Sequence, residues 1–190
     1  MNSKYQICVS GASRGLSMEE GKGLAKLVGE TIAKGGHTLL TGATVGIADY
    51  ATIAYKSAGG HMSVGISPAS SKIEHVMKYR LPTKPYDVIL YTGMHYVGRD
   101  AFLINSSDAV ISIGGRLGTL HEAMIAFETD TPIGFLQGAG GTGAEIMDIL
   151  QAAGREPGDR VIFDPDPIEL LERLTKILDE EHKRYDGLLD

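Results

Sequence analysis

Residues 108–128, DAVISIGGRLGTLHEAMIAFE, decide the fold of this chain. A β-branched run at 109–113 breaks into the glycine turn 114–119, and an amphipathic helix follows. This order of strand, turn and helix start aims unpaired backbone N–H groups and a positive helix end at an anion. Glycine suits the turn because a Cβ would block both the tight bend and a close-lying phosphate. The stretch therefore predicts a phosphate-binding crevice.

Working outward, short β-branched runs alternate with segments of helical spacing, which is typical of a parallel sheet with crossover helices. We predict one doubly wound, mainly parallel α/β domain over residues 1–190, with about six to seven strands and helices on both faces. The last helix should begin at Asp166-Pro167, and residues 179–190 should form a frayed tail. Residues 69–85 carry two prolines and suggest a lid-like excursion. The strands are predicted at 5–9, 38–41, 61–67, 87–91, 109–113, 132–136 and 161–163.

The composition excludes several classes of function. A net charge of −6 without a basic stripe argues against binding a nucleic-acid backbone. No apolar run approaches the roughly 20 residues that span a bilayer, and no signal peptide opens the chain, so we expect a cytoplasmic protein. The single cysteine, Cys8, lies in an apolar strand and is interpreted as a buried thiol. The six histidines have no metal-binding spacing, so no metal site is expected.

Three glycine-bearing loops, at 10–15, 41–46 and 114–119, follow predicted strands, and the carboxyl ends of parallel strands are where such sheets bind ligands. None of these loops matches the P-loop pattern or the dinucleotide fingerprint, which argues against an ATPase or a nicotinamide dehydrogenase. A fourth glycine loop follows the predicted sixth strand, at 138–143. The candidate ligand-binding residues are Gly11, Ser13, Arg14, Gly42, Thr44, Gly46, Gly114, Gly115, Arg116, Gly118 and Thr119.

Residues 98–123, GRDAFLINSSDAVISIGGRLGTLHEA, resemble the signature region of the LOG (LONELY GUY) proteins, often labelled lysine-decarboxylase-like. The family pattern is an Arg-Lys pair, a Ser-Asp-Ala strand start and the motif PGGxGTxxE. The resemblance covers roughly residues 5–130 and is most specific in its second half. The matching positions are Arg99, Asp108, Ala109, Gly115, Gly118, Thr119 and Glu122.

The resemblance implies a Rossmann-like fold and hydrolysis of the N-glycosidic bond of cytokinin nucleoside 5′-monophosphates, with Arg99 and Glu122 as the catalytic pair. A carboxylate such as Glu122 suits this reaction because the ribose gains positive charge as the bond breaks. The resemblance also implies a homodimer or higher homo-oligomer, with the helix after the glycine motif at the interface. No cofactor would be required, and the bound ligand would be a nucleoside monophosphate or a related phosphate.

Three positions depart from the LOG pattern: Asp100 replaces the lysine, Gly114 the proline and Arg116 the second glycine. In these features the segment is more similar to the molybdenum-cofactor-carrier-like branch, whose members bind a ligand without turning it over. Two hypotheses therefore stand, a phosphoribohydrolase and a non-catalytic carrier or sensor. Arg116 would either contact the ligand or block its site.

Glu122 also has a purely structural interpretation. Thr119 and Glu122 have the spacing of a capping box, in which a hydroxyl and a carboxylate satisfy the first N–H groups of a helix. The same spacing occurs at Ser17 with Glu20 and at Ser71 with Glu74. The sequence leaves open whether Glu122 caps the helix or serves the site.

Overall fold

The protein is built on one parallel β-sheet. The computed structural model describes residues 4–184, without the side chains of residues 142 and 144. In this part of the chain seven strands pair in the order β4-β3-β2-β1-β5-β6-β7, and each neighbouring pair is parallel. The strands are β1 (Gln6–Gly11), β2 (Thr38–Thr41), β3 (Ser63–Ser67), β4 (Val88–Tyr91), β5 (Ala109–Ile113), β6 (Ile133–Leu136) and β7 (Val161–Asp164).

Helices cover both faces of this sheet. Apolar residues of α1, α2 and α7 form one core cluster with the sheet, and those of α4, α5 and α6 form another. The predicted doubly wound α/β fold is therefore confirmed, and all the described strand pairs are parallel. The helices are α1 (Leu16–Lys34), α2 (Ile47–Ser57), α3 (Lys72–Met77), α4 (His95–Asn105), α5 (Leu117–Glu128), α6 (Ile146–Ala152) and α7 (Pro167–His182), with a 3-10 turn at Gly141–Ala144.

Strand β1 shows why the sheet needs cover on both sides. Successive side chains of a strand point to opposite faces. Ile7 and Val9 enter the cluster beneath α1 and α2, whereas Cys8 enters the cluster beneath α4 and α5. Cys8 is fully buried, as predicted, and burial raises the pKa of its thiol well above the usual range.

The strand order reverses at the centre of the sheet. The chain runs from β1 through β2 and β3 to the edge strand β4, then crosses back to place β5 beside β1. Connections therefore leave β1 and β5 toward opposite faces, which opens a crevice beyond their carboxyl ends. The pairing of Gly11 with Ile113 marks the place where this crevice begins.

Two of the three predicted capping boxes are wrong. Helix α1 begins directly after Gly15, and α5 directly after Arg116, so Ser17 and Thr119 lie inside the first helical turns. Glycine permits the early start of α1 because Gly15 takes a positive φ of 86°. The third prediction is confirmed, since the Ser71 hydroxyl accepts a hydrogen bond from the backbone N–H of Glu74.

The predicted frayed tail is wrong for its first residues, because α7 continues to His182. Asp179 accepts hydrogen bonds from Lys4 and from the Tyr5 hydroxyl, which ties the helix to the start of the sheet. Residues 185–190 of the predicted tail lie outside the described residues. Asp166 caps α7 with Pro167 in the first turn, as predicted.

Candidate functional site

A cavity of about 760 Å³ opens at the carboxyl edge of the sheet. It lies among the ends of β1, β2 and β5 and the starts of α1, α2 and α5. Most of the predicted site residues line it, which places the first three glycine loops around one space. These lining residues are Gly11, Ser13, Arg14, Gly42, Thr44, Arg99, Arg116, Gly118, Thr119 and Glu122.

Gly46, Gly114 and Gly115 are predicted ligand contacts that do not line the cavity. Each takes a positive φ and packs closely against neighbouring groups. A Cβ at Gly46 would lie 2.5 Å from the Ala12 carbonyl oxygen, and one at Gly115 would lie 2.2 Å from the Thr119 hydroxyl. These glycines therefore shape the turns of the loops, and their contact with a ligand stays a prediction.

The floor of the cavity holds a buried cluster of charged and polar side chains. Arg99 of α4 donates from Nη1 to Oε1 of Glu122 on α5 over 3.1 Å, and Asp100 Oδ1 lies 3.3 Å from the same nitrogen. The Ser10 hydroxyl donates to the other oxygen of Glu122. All four residues are less than 10% exposed. The carboxylate of Glu122 thus bonds to side chains in the site and caps no helix.

Two pairs of adjacent residues build this floor. Arg99 and Asp100 come from α4, and His121 and Glu122 come from α5. Arg99 contacts Glu122, and Asp100 contacts His121. Asp100 Oδ2 lies 2.8 Å from His121 Nδ1 while its other oxygen faces Arg99. The sequence predicted neither contact of Asp100, with Arg99 or with His121, because the resemblance marked Asp100 only as a departure from the family.

The pKa of Glu122 is raised to about 6. Burial is the main cause, since removal from water disfavours the charged carboxylate, and repulsion from Asp100 adds to it. The Arg99 guanidinium and the Ser10 hydrogen bond oppose the rise. Glu122 can therefore exchange a proton close to neutral pH, which an ordinary exposed glutamate cannot.

The rim of the cavity is positively charged although the whole chain carries a net charge of −6. Arg14, Arg80 and Arg116 are exposed and line the opening. Helices α1, α2 and α5 also begin here, after Gly15, Gly46 and Arg116. None of these residues carries a side-chain acceptor that could cap its helix. The rim therefore combines cationic side chains with positive helix ends, an arrangement that favours an anion.

One wall of the cavity is aromatic and apolar. Tyr79 and Tyr96 line it with their rings edge to face, 5.5 Å apart, and Leu117, which also lines the cavity, is 80% exposed. The Tyr79 hydroxyl lies 2.7 Å from Nδ1 of His95. Tyr96 lines the cavity, whereas its neighbour His95 does not.

Strained backbone surrounds the site. Ala43, Arg80 and His95 have positive φ values of 52°, 55° and 55°, which non-glycine residues adopt at a cost of roughly 1–3 kcal/mol. Arg80 lines the cavity, Ala43 lies between the lining residues Gly42 and Thr44, and His95 contacts Tyr79. Such strain persists where the surrounding structure fixes it, and it concentrates at ligand-binding sites.

Residues 4–184 contain no group of three or more His, Cys, Asp or Glu side chains arranged to hold a metal ion. Within the same range no helix is long and apolar enough to cross a membrane. The profile of the SLOG cluster4 family matches residues 4–170. The chain belongs to the SLOG cluster4 family.

An uncharacterized protein of Archaeoglobus fulgidus is a further relative of this SLOG chain. It is 37% identical over 123 residues, which cover 65% of this chain and 74% of that protein.

Two solved structures share the SLOG chain's fold. A molybdenum cofactor binding protein from Rippkaea orientalis is 25% identical with a TM-score of 0.74, covering 94% of this chain and 99% of that one. The molybdenum cofactor carrier protein from Chlamydomonas reinhardtii is 24% identical with a TM-score of 0.73, covering 92% and 98%. The family match and these structures agree with the LOG-like resemblance and with its carrier-like branch.

Proposed function

We propose that this protein binds a phosphorylated heterocyclic small molecule in the cavity and carries it without hydrolysing it. One observation carries the proposal. Both carboxylate oxygens of Glu122 already bond to protein groups, Oε1 to Arg99 and Oε2 to Ser10. A hydrolase would use this carboxylate to orient a water molecule or to stabilise the ribose cation, and the two protein hydrogen bonds compete with that use. The cavity floor therefore favours binding over bond cleavage.

The phosphate end of the ligand would lie at the rim. Arg14 and Arg116 stand in the loops after β1 and β5, where α1 and α5 begin. Arginine binds phosphate oxygens through paired N–H groups, and the helix ends add backbone donors. Gly118 supports this placement, because the space that its side chain would fill is empty and the backbone can be approached closely.

The heterocyclic end would lie against the aromatic wall. A volume of about 760 Å³ falls within the roughly 300–1,000 Å³ typical of pockets for drug-sized ligands, and a phosphate alone would leave most of it empty. Tyr96 and Leu117 expose apolar surface to this space. A planar ring would cover that surface and stack on the tyrosine. Nucleotides and phosphorylated pterins both meet this description.

The similar structures support a carrier. One is a molybdenum cofactor binding protein and another a molybdenum cofactor carrier protein, and both match nearly the full length of this chain. Asp100 adds support from the chain itself. It stands where the LOG pattern has a lysine, and it shares the Arg99 nitrogen that bonds to Glu122.

A phosphoribohydrolase is the second candidate, favoured by one observation. Arg99 and Glu122, the residues that match the LOG catalytic pair, both line the cavity and touch one another. With a pKa of about 6, Glu122 would also be able to pass a proton near neutral pH.

The homo-oligomer stays a prediction. Met124, Ile125 and Phe127 of α5, the helix expected at the interface, pack against the core cluster beneath α4 and α5. A lid formed by residues 69–85 stays a prediction as well, although Tyr79, Arg80 and Leu81 of this segment line the cavity.

Thermal-shift measurements test the proposal. The probes are AMP, GMP, a pterin bearing a terminal phosphate, and inorganic phosphate, each added to the wild-type protein and to Arg14→Ala. A ligand that binds only the native state raises its melting temperature. We expect at least one phosphorylated heterocycle to stabilise the wild type, and Arg14→Ala to lose most of that gain. Arg184 is an exposed arginine after α7, and Arg184→Ala is the matched control. This variant should keep the gain in melting temperature. No stabilisation by any probe would contradict the proposal.

A further inference from the structure

The contact between α4 and α5 depends on two residues to which the family pattern gives no role. Asp100 is 4% exposed and lines the cavity, and His121 lies beside it on the neighbouring helix. We propose that Asp100, held by His121, is the positioning residue that fixes the Arg99 guanidinium at the cavity floor. The inference rests on the proposed function in one respect, that Arg99 faces the ligand.

The geometry around Arg99 shows what has to be fixed. The hydrogen bond from Nη1 to Glu122 is supplemented by Asp100 on the same nitrogen. The Nε atom is buried and has no hydrogen-bond partner among the described residues. An arginine carries five N–H donors, so one bond to Glu122 would leave the planar group free to turn. The ion pair with Asp100 limits that freedom, because the same nitrogen then faces carboxylates on two sides.

His121 fixes Asp100 in turn. Its side chain is 40% exposed, whereas that of Asp100 is 5% exposed, so the pair joins the buried floor to the surface. Nδ1 of His121 lies 2.8 Å from Oδ2 of Asp100, which leaves Oδ1 directed at Arg99. A carboxylate held by a hydrogen bond at one oxygen and by an ion pair at the other has one preferred orientation, and it thereby restrains the guanidinium.

The charges at this floor have a measurable effect on the pKa of Glu122. Glu122 faces Arg99 and Asp100 from α4, Ser10 and Cys8 from β1, and has His121 beside it on α5. Asp100 contributes the opposing negative charge in this set, and its repulsion raises the pKa of Glu122. A neutral side chain of the same size at position 100 would have no such influence on the Glu122 proton.

The first experiment needs no ligand. The side-chain carboxyl of Glu122 is followed by ¹³C NMR during a pH titration, and its signal is assigned by its loss in Glu122→Gln. Asp100→Asn keeps the size of the side chain but removes its charge. We expect the titration midpoint to fall by about one pH unit, the usual size of the effect of a neighbouring charge. Asp148→Asn, on the exposed start of α6, is the control and should leave it unchanged. An unchanged midpoint in Asp100→Asn would overturn the proposal.

The second experiment tests orientation through His121, whose partial exposure makes its replacement compatible with folding. The ¹H–¹⁵N signal of the buried Arg99 Nε–H is compared in the wild type, His121→Ala and His121→Asn. Asparagine places an N–H donor where Nδ1 of histidine lies. We expect the signal to broaden in His121→Ala and to recover in His121→Asn, while His61→Ala, an exposed histidine, leaves it sharp. An equally sharp signal in His121→Ala would contradict the positioning role.

AMP affinity separates this inference from the proposed function. His121→Ala should weaken binding by about fivefold, and His121→Asn should restore it to within about twofold. If AMP and the other probes fail to bind the wild type, the proposed function fails while the two NMR experiments still decide the role of Asp100. If AMP binds equally well to all three proteins, the proposed function stands and the positioning role is wrong.

Discussion

The guanidinium of Arg99 occupies the space that a side chain at Gly42 would need. A Cβ at position 42 would lie 2.2 Å from Nη1 of Arg99 and 2.7 Å from its Cζ. The glycine of the second loop therefore makes room for a buried cation of the site. The sequence suggested instead that this loop leaves room for a phosphate.

Gly42→Ala should force Arg99 out of its place. The methyl group cannot fit beside a guanidinium held by two carboxylates, so we expect the free energy of unfolding to fall by about 1–3 kcal/mol, as in overpacked cores. Binding of AMP should weaken as well. Gly23→Ala is the control, since Gly23 is exposed in α1 with open space around its Cβ, and this change should stabilise the protein by about 0.5–1 kcal/mol. Wild-type stability and affinity in Gly42→Ala would contradict the packing described here. Urea unfolding and AMP titration measure both effects.

The raised pKa of Glu122 makes stability depend on pH. Its folded-state pKa of about 6 lies above the ordinary value of 4.5, so between these values the folded protein binds more protons than the unfolded chain. Stability should therefore fall as the pH rises from about 4.5 to 6, by about 2 kcal/mol from this group. Urea unfolding at a series of pH values measures the change.

Glu122→Gln isolates this contribution, because the variant has no proton to exchange at this position. Other groups change with pH too, among them His37, whose pKa is lowered by burial. The difference between wild type and variant removes their effect. A difference that stays constant from pH 4.5 to 7 would show that Glu122 titrates as an exposed residue does.

Arg116→Ala should weaken AMP binding by about tenfold, which corresponds to about 1.4 kcal/mol, since a charge-assisted bond to phosphate would be lost. The loss should shrink at high salt, because ions screen an exposed arginine. Isothermal titration at low and high ionic strength, again with Arg184→Ala as control, measures the loss of AMP affinity and its dependence on salt. An increase in affinity would instead mean that the Arg116 side chain blocks the site.

Asp179→Ala tests the attachment of the last helix. The carboxylate accepts hydrogen bonds from Tyr5 and Lys4, and these bonds, that of Tyr5 first, lower its pKa. The stabilisation is therefore present above pH 4 and lost as the pH falls through the lowered pKa. Because the side chain is partly exposed, we expect a loss of about 1 kcal/mol at pH 7 in urea unfolding. Glu180→Ala, its exposed neighbour, should have almost no effect. Equal stabilities of the two variants would mean that the end of α7 is not anchored.

The fold follows from the sequence to a large extent, because buried parallel strands have a strong local signal. Strand β5 coincides with the predicted run 109–113, and β2 with 38–41. Both strands are short apolar runs bounded by glycine or polar residues, so the run and the residues that end it predict the same bounds. Helix starts were harder to predict, since a Ser-x-x-Glu spacing at Ser17 competes with a glycine at position 15 that starts the helix earlier.

The site could be predicted only in part. Arg99 and Glu122 were found through their spacing to the glycine motif, and they meet at the cavity floor. Ser10 was missed because β1 extends to Gly11, two residues beyond its predicted end, so its hydroxyl was assigned to a loop. Tyr79 and Arg80 reach the cavity from a segment without periodicity, where tertiary packing rather than local pattern fixes the chain.

The fate of a bound nucleotide tests the central claim most directly. The protein is incubated at high concentration with the nucleoside monophosphate that stabilises it most, and the mixture is separated by chromatography after many hours, with Glu122→Gln in parallel. We predict that the wild type binds the nucleotide and that all of it is recovered intact, with no difference between the two proteins. Release of free base by the wild type, absent in Glu122→Gln, would contradict a carrier and establish a phosphoribohydrolase.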